Sequence, residues 1–339
     1  MTDTSLRGVN LGGWLVLEKW ITPSLFEGLK AQDETTFCLE LGDRAAEVLD
    51  RHRSGYITEA DFDWMVEHGV NAVRIPVGHW IFGDATPYVG SIKYLDFAFK
   101  EARKRNIQVV VVLHAAPGSQ NGWDHSGRIG PIEWHIGHEN IARTLDVIER
   151  LSERYADYDN LAGIELLNEP HWTIPHELLV RFYEAGYQRV RKHCDERVSV
   201  IIHDSFRPLE WNRDLGAPDY KNVVLDAHLY QCFDEQDKQL NIHQHLAKAR
   251  SEWSTLIATV QKTHPMIVGE WSLGLDNSTF TGMDISEQNK ALQAYANAQV
   301  ETFTGASGWF FWTYKTENMV GWNYRECVRL GYLPRLSEE

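Results

Sequence analysis

IQVVVVLH (residues 107–114) and NVVLDAHLY (222–230) are the stretches on which the fold turns. Each is a nearly continuous apolar, β-branched run. A strand with one solvated face alternates apolar and polar residues; a run without alternation suits a strand covered on both faces, as in a parallel sheet. Working outward, six more short segments of this kind recur at 7–11, 71–77, 163–168, 198–204, 266–271 and 308–314. The spacers between them carry helical patterns. Thr58 and Asp61 form a capping pattern ahead of Phe62, Met65 and Val66. Residues 94–105 put Leu95, Phe99 and Ala102 on one face, 140–155 and 175–194 are long and amphipathic, and 288–302 precedes the last strand. Eight strands alternating with helices predict an α/β protein, a single-domain (β/α)8 TIM barrel spanning residues 1–339, with a doubly wound open sheet as the alternative. Residues 22–53 read as an irregular excursion packed on the barrel.

The charge balance narrows the function. Lys and Arg number 33 and Asp and Glu 48, a net charge of −15 over 339 residues. Such a surface repels phosphate backbones and anionic lipid, so neither nucleic acid nor membrane is expected as a partner. The chain has 13 Trp, 13 Tyr and 13 Phe, enough to furnish both a core and a cleft that stacks on sugar faces. It contains no apolar run long enough to span a bilayer, and MTDTSLRGVN (1–10) lacks the charged-then-apolar pattern of a leader. The expected location is the cytoplasm, or outside the cell if a leader has been removed. Cys38, Cys194, Cys232 and Cys327 are widely scattered, which argues against a disulfide framework or a Cys-based zinc site.

Barrel enzymes collect their chemistry at the C-terminal ends of the strands. The residues at those ends are Arg74, His114, Asn168 with Glu169, His228 with Tyr230, Glu270, and Trp312. An acid ending a buried strand is costly unless it is paired or opens onto a cleft. For Glu169 or Glu270 alone, an ion pair or a helix cap is an equally good reading; two such acids on one mouth favour a cleft. Glu165 lies inside its strand, facing either a helix or the barrel interior. Paired carboxylates across a cleft are the minimal apparatus of glycoside hydrolysis, one protonated to assist the leaving oxygen and one ionised. The competing chemistries lack their signatures. No GxSxG, HExxH, GxGxxG or P-loop occurs, and His125, His135, His138 and His171 are not at zinc spacing.

At these residues the chain resembles glycoside hydrolase family 5 and, within it, the exo-β-1,3-glucanase branch. The matching segments are RGVNLGGWLVLE (7–18), TPSLFE (22–27), VRIPVGHW (73–80), LHAAPGSQNGWDHSG (113–127), ELLNEP (165–170), HLYQCF (228–233), VGEW (268–271) and GWFFWTYKTE (308–317). The resemblance implies a retaining enzyme that releases glucose from β-1,3-linked gluco-oligosaccharides without metal or cofactor. It makes Glu169 the general acid/base and Glu270 the nucleophile. It further implies that Asn168 bonds the sugar 2-hydroxyl, that Arg74 and Tyr230 hold the nucleophile, and that His114 and His228 line the sugar and the acid. Glu18 would contact hydroxyls of the terminal glucose, Trp312 would floor that sugar, and Trp123 and Phe233 would flank the next one. A β-1,6-glucan-directed or other β-glycosidase of the family is the alternative, followed by an inactive carbohydrate-binding barrel. The stretches 124–134 and 273–282 depart from the branch's pattern, and both are expected to border the outer subsites.

Overall fold

Eight parallel strands close on themselves in sequence order. They are β1 (Leu6–Asn10), β2 (Ala72–Gly78), β3 (Gln108–Ala115), β4 (Leu161–Glu165), β5 (Ser199–His203), β6 (Val223–His228), β7 (Met266–Trp271) and β8 (Gly308–Phe311), with β8 pairing back onto β1. The computed structural model describes residues 5–334 and 336. The helices that pack outside the strands are α1 (Glu34–Leu41), α2 (Ala45–Tyr56), α3 (Glu59–Glu67), α4 (Ile92–Lys104), α5 (His138–Tyr155), α6 (His176–Arg191), α7 (Ile242–Lys248), α8 (Ser254–Val260), α9 (Ile285–Phe303) and α10 (Tyr324–Arg329). Among the described residues the β5–β6 crossover has no α-helix, only the 3-10 turn Pro208–Arg213. The capping box expected at Thr58 and Asp61 opens α3.

The (β/α)8 reading holds, and most strands fall within a residue or two of the expected bounds. The largest departure is at β4, which ends at Glu165 and not at Asn168. The chain nonetheless continues along the barrel wall: Leu166 N–H donates to Ile201 O and Asn168 N–H to Leu113 O. Residues 22–53 correct the sequence reading more sharply. They are not irregular, because α1 and α2 account for most of them. They enclose a small core of their own in which Phe26, Phe37, Cys38, Leu41 and Leu49 pack together.

The barrel interior explains where the site lies. Ala72, Val110, Ile201, Val224, Ile267 and Phe310 form one apolar layer. Strand side chains repeat every second residue, so positions two further along face the same way. Those positions are Arg74, Val112, His203, Asp226, Gly269 and Trp312, joined by Asn10 and Glu165, and the interior turns polar toward the C-terminal mouth. Gly269 is required there. A Cβ at this position would come within 2.0 Å of the Asp226 carboxylate, whose other oxygen accepts the Gly269 N–H at 2.6 Å.

Candidate active site

Arg74 is the hub of the mouth. It rises from β2 and is completely buried. Its Nε and Nη2 donate to the two oxygens of Glu165 at 2.7 and 2.9 Å, a bidentate pair. Nη1 donates to Asn10 Oδ1 at 2.9 Å and to Glu270 Oε1 at 3.0 Å, and Nη2 also reaches Asn168 Oδ1 at 2.8 Å. Asp226 lies 3.7 Å away. Three carboxylates thus share one guanidinium. Burial pushes Glu165 up to about 7 against the opposing charge of Arg74.

Glu270, at the end of β7, is held at both oxygens: Arg74 takes Oε1, and Tyr230 O–H donates to Oε2 at 2.9 Å. Burial raises its pKa, opposed by the charges of His228 and Arg74. Glu169 follows β4 with φ +42, a left-handed conformation that non-glycine residues adopt mainly at strained positions. Its Oε1 meets His228 Nδ1 at 2.5 Å and its Oε2 lies 3.3 Å from His125 Nε2. Burial works to raise Glu169, but the His228 charge prevails and draws it down. The same His228 Nδ1 is 3.4 Å from Glu270 Oε2. The separation of these two carboxylate oxygens therefore cannot exceed the sum of the two distances. The bound is compatible with the ~5–5.5 Å between the two carboxyl groups of retaining glycosidases. Burial disfavours a charged His228, yet Glu270, Asp226 and Glu169 hold its pKa well above the ordinary value.

A cleft of about 980 Å³ opens above the pair. Glu18, His114, Trp123, Tyr230, Phe233 and Trp312 all line it with Glu169 and Glu270. Arg74, Asn168 and His228 lie directly beneath, fully or almost fully buried. His114 and Trp312 stack in parallel, ring centroids 5.4 Å apart. Burial pushes Glu18 well above the usual carboxylate range, with Asp124 adding to the shift; Trp20 Nε1–H donates to its Oε2 at 2.9 Å. Glu18 Oε1, both His114 nitrogens and Asn168 Nδ2 are buried with no hydrogen-bond partner in the protein, each a polar atom available to a ligand.

Trp123 and Phe233 line one cleft but belong to separate aromatic groups. Trp123 neighbours Trp172 at 6.1 Å and Phe206 at 6.2 Å, while Phe233 neighbours Tyr230 at 5.2 Å and Trp322 at 6.0 Å. Trp20, Trp172, Phe206 and Trp322 were missed as lining residues. They sit on loops or, for Trp322, in the three-residue 3-10 turn Val320–Trp322, where no period marks which way a side chain faces. The 124–134 stretch borders the cleft as expected, through Asp124, His125 and Ile129. The 273–282 stretch does not: among the described residues none of its members lines the cleft, and Gly274 packs instead behind Trp322. Nor does any residue of 22–53 line it. That segment acts from behind, as Glu34 Oε2 accepts the Leu17 N–H at 2.8 Å, next to Glu18. His79, Trp80 and Trp134 are buried and structural.

Among the described residues, two groups of side chains bring ligand-type atoms within 4.8 Å of one another: Glu169, His203 and His228, and Glu165, Asp226 and His228. In the second, the Arg74 guanidinium already supplies the positive charge. In the first, His203 Nδ1 accepts the Ser205 N–H at 2.9 Å, which puts that ring's proton on Nε2.

A closed (β/α)8 barrel with paired carboxylates in an aromatic cleft at its C-terminal mouth defines a glycosidase-type barrel. The chain belongs to glycoside hydrolase family 5: the family described as Cellulase (glycosyl hydrolase family 5) matches residues 45–318. It is 38% identical to a probable glucan 1,3-beta-glucosidase A of Aspergillus niger, covering 95% of this chain and 86% of that protein. It is 37% identical to a glucan 1,3-beta-glucosidase of Schwanniomyces occidentalis, covering 98% and 88%. Among solved structures, a rutinosidase from Aspergillus niger has the same fold, with a TM-score of 0.81 at 24% identity over 97% of both chains. An endoglucanase from Thermotoga maritima shares it more distantly, with a TM-score of 0.60 at 19% identity over 97% of both. The protein is a glycoside hydrolase. Among the described residues no helix is long and apolar enough to cross a membrane.

Proposed function

We propose that the chain, a single catalytic domain, is a retaining exo-β-1,3-glucanase that removes glucose from the ends of β-1,3-linked gluco-oligosaccharides. The observation that carries this is the bridging of both glutamates by one nitrogen, His228 Nδ1, with Glu270 gripped from two sides by Arg74 and Tyr230. A carboxylate so fixed, at short range from a second, is placed to attack the anomeric carbon. Glu169 protonates the departing oxygen as Glu270 forms the glucosyl ester. Glu169 then accepts a proton from water, which attacks the ester, and the product keeps the β configuration. His228 Nδ1 lies 2.5 Å from Glu169 Oε1, a contact across which the acid can be resupplied with a proton. Asn168 Nδ2 is free to bond the 2-hydroxyl, and His114 and Glu18 have free polar atoms for the other hydroxyls of the terminal sugar. Trp312 forms that sugar's floor, and Trp123 and Phe233 grip the next unit.

The names of the relatives support the β-1,3 linkage and the release of single glucose units. Cys38, Cys194, Cys232 and Cys327 are all unpaired, which supports residence in a reducing compartment such as the cytoplasm. The test is a time course on laminaritriose and longer oligomers, followed by NMR. The expected first product is β-glucose, lost in Glu270→Gln. A ladder of oligosaccharides at early times overturns the exo reading, and α-glucose as first product overturns retention. Glu169→Ala should lose several orders of magnitude on laminaribiose but far less on an aryl glucoside whose leaving group needs no proton.

A further inference from the structure

Each oxygen of Glu169 meets a different histidine, and the two histidines are not equivalent. His228 Nδ1 lies 2.5 Å from Oε1, and the His228 side chain is completely buried beneath the cleft. His125 Nε2 lies 3.3 Å from Oε2, and the His125 side chain is 16% exposed and lines the cleft beside Glu169. Oε2 is therefore the oxygen turned toward the cleft, where a proton passes to or from a substrate. The double displacement gives His228 a task and His125 none.

The backbone around His125 holds it in place. The residue sits in the middle of the 3-10 turn Asp124–Ser126. Ser126 is buried, and its Oγ donates to Trp123 O at 2.6 Å and lies 2.6 Å from Ser119 Oγ. Gly127 closes the turn at φ +82, with its N–H donating to Asp124 O at 2.8 Å. A Cβ on Gly127 would come within 2.6 Å of the Trp80 ring, so the turn is seated on a buried indole. Thr35 Oγ1, on α1, donates to Gly127 O at 2.6 Å. The imidazole itself stands between other rings, 5.2 Å from His114 and 5.5 Å from Trp123 by centroids. His125 Nδ1 is buried and has no hydrogen-bond partner in the protein. A buried N–H left without an acceptor is the rarer fault, and an unfilled lone pair the more tolerated one. The ring's proton therefore belongs on Nε2, the nitrogen that faces the carboxylate.

We propose that His125 is a positioning residue for the acid/base, donating its Nε2–H to the cleft-side oxygen of Glu169 and favouring the ionised carboxylate between the two steps. The proposal rests on the reading of Glu169 as the acid/base. In the first step Glu169 gives its proton to the departing oxygen. The bond from that oxygen to the anomeric carbon breaks, and its electron pair stays with the oxygen. The carboxylate left behind accepts the His125 N–H, which keeps Oε2 aimed at the incoming water. Glu169 then takes the proton of that water as the glucosyl ester is cleaved. His125 neither gains nor loses a proton over the cycle.

The test compares two variants. His125→Phe keeps a ring beside His114 and Trp123 but has no N–H; His125→Gln keeps an N–H donor at the reach of Nε2. The measurement is the pH profile of kcat/KM on laminaribiose, whose alkaline limb reports the proton held by the acid in the free enzyme. The other charged and titratable groups around Glu169 are Glu18, Arg74, His203, Asp204, His228, Tyr230 and Glu270, and those beside His125 are His114 and Asp124. Both variants keep all of them. Losing a donor to the ionised carboxylate makes the proton harder to give up, so the limb should move up by about one pH unit in His125→Phe. In His125→Gln it should stay within about 0.3 of a unit of wild type, because the donor is retained. The same displacement should appear in the 13C NMR titration of the Glu169 carboxyl, assigned by its absence in Glu169→Gln, a readout that needs no turnover. A limb and a titration unmoved in His125→Phe, or shifts of equal size in the two variants, overturn the proposal. Glu169→Ala, run beside them on laminaribiose and an aryl glucoside, separates the two levels. Equal losses on both substrates remove Glu169 as the acid and the proposal with it. A loss confined to laminaribiose, with the His125→Phe limb unmoved, leaves the acid in place and removes His125 alone.

Discussion

Among the described residues two arginines are almost completely buried beside glutamates, and they do different things. Arg53, on α2, pairs with Glu34 of α1 at 2.9 Å and spends its Nη1 on the carbonyls of Val89 and Gly90. One cation meets one carboxylate, and the free oxygen of that carboxylate accepts a backbone N–H from Leu17. Arg74 meets Glu165, Glu270 and Asp226, and a second cation, His228, stands between the acids. The balanced pair is a strut. The crowded cluster is a reactive centre, since too many acids around too little positive charge hold protons in motion between groups. Buried arginine–glutamate contact therefore marks neither function nor stability by itself; the ratio of charges and the unpartnered polar atoms nearby make the distinction.

The comparison breaks most visibly at Arg74. Arg74→Met removes the donor to Glu270 and leaves Glu165 and Asp226 uncompensated. Turnover of an aryl β-glucoside should fall by about 10³-fold or more, because a preorganised buried charge beside the nucleophile is lost. Steady-state kinetics on the folded fraction, with circular dichroism as the fold control, is the check. Loss of less than tenfold would mean that Tyr230 and His228 alone hold Glu270.

How much of this contrast was legible in the sequence differs between the two regions. Arg74, Glu169, His228 and Glu270 close or follow apolar strands, where a polar residue at the C-terminal end of a barrel strand has a fixed destination. Glu165 and Asp226 carried a signal that went unused. Each is a lone acid inside an apolar run, two residues beyond an apolar or glycine position that faces the barrel interior, so period two places it beside Arg74. The strut was harder to see. Asp33 and Thr36 do form a capping box at α1, and Phe37, Cys38 and Leu41 lie on its inner face. Yet α1 is only 8 residues long, too short for periodicity to separate it from a loop. The rim was illegible for another reason. Trp172 and Phe206 from loops and Trp322 from a 3-10 turn line one cleft, and the backbone turns that aim them, such as φ +59 at Phe206, leave no mark in composition.

The strut can be broken without touching chemistry. Arg53→Met leaves the Glu34 carboxylate buried without its cation. Removing one partner of a buried pair costs about 3–5 kcal/mol, so the unfolding midpoint in urea should drop accordingly. The kcat per folded molecule should stay within about tenfold, because the strut acts on Glu18 only through the Leu17 backbone contact. A collapse of kcat in a molecule of undiminished stability would reverse the assignment of the two arginines.

The finest test uses the proton on Glu34. Burial pushes this carboxyl up to about 7, against the pull of Arg53 and of the Leu17 N–H. In the unfolded chain the same group titrates near ~4.3. Between those values the native state keeps a proton that the unfolded state has released. Unfolding free energy contributed by this group therefore falls as pH rises through the window, and it is constant below the unfolded value and above the folded one. Glu34→Gln does not titrate and keeps a similar shape. The stability of wild type relative to Glu34→Gln should thus fall between pH 4 and pH 8 by about 3 kcal/mol, most of it between pH 5 and 7. Taking the difference between the two proteins cancels the titration of Glu165, Asp204 and the buried histidines, which both share. Urea titrations at several pH values measure it. A difference that stays flat would mean that Arg53 holds Glu34 ionised throughout, as an ordinary ion pair. A fall of the expected size would show that the strut, like the catalytic cluster, holds a displaced proton, and that what separates the two is the surplus of acids around Arg74.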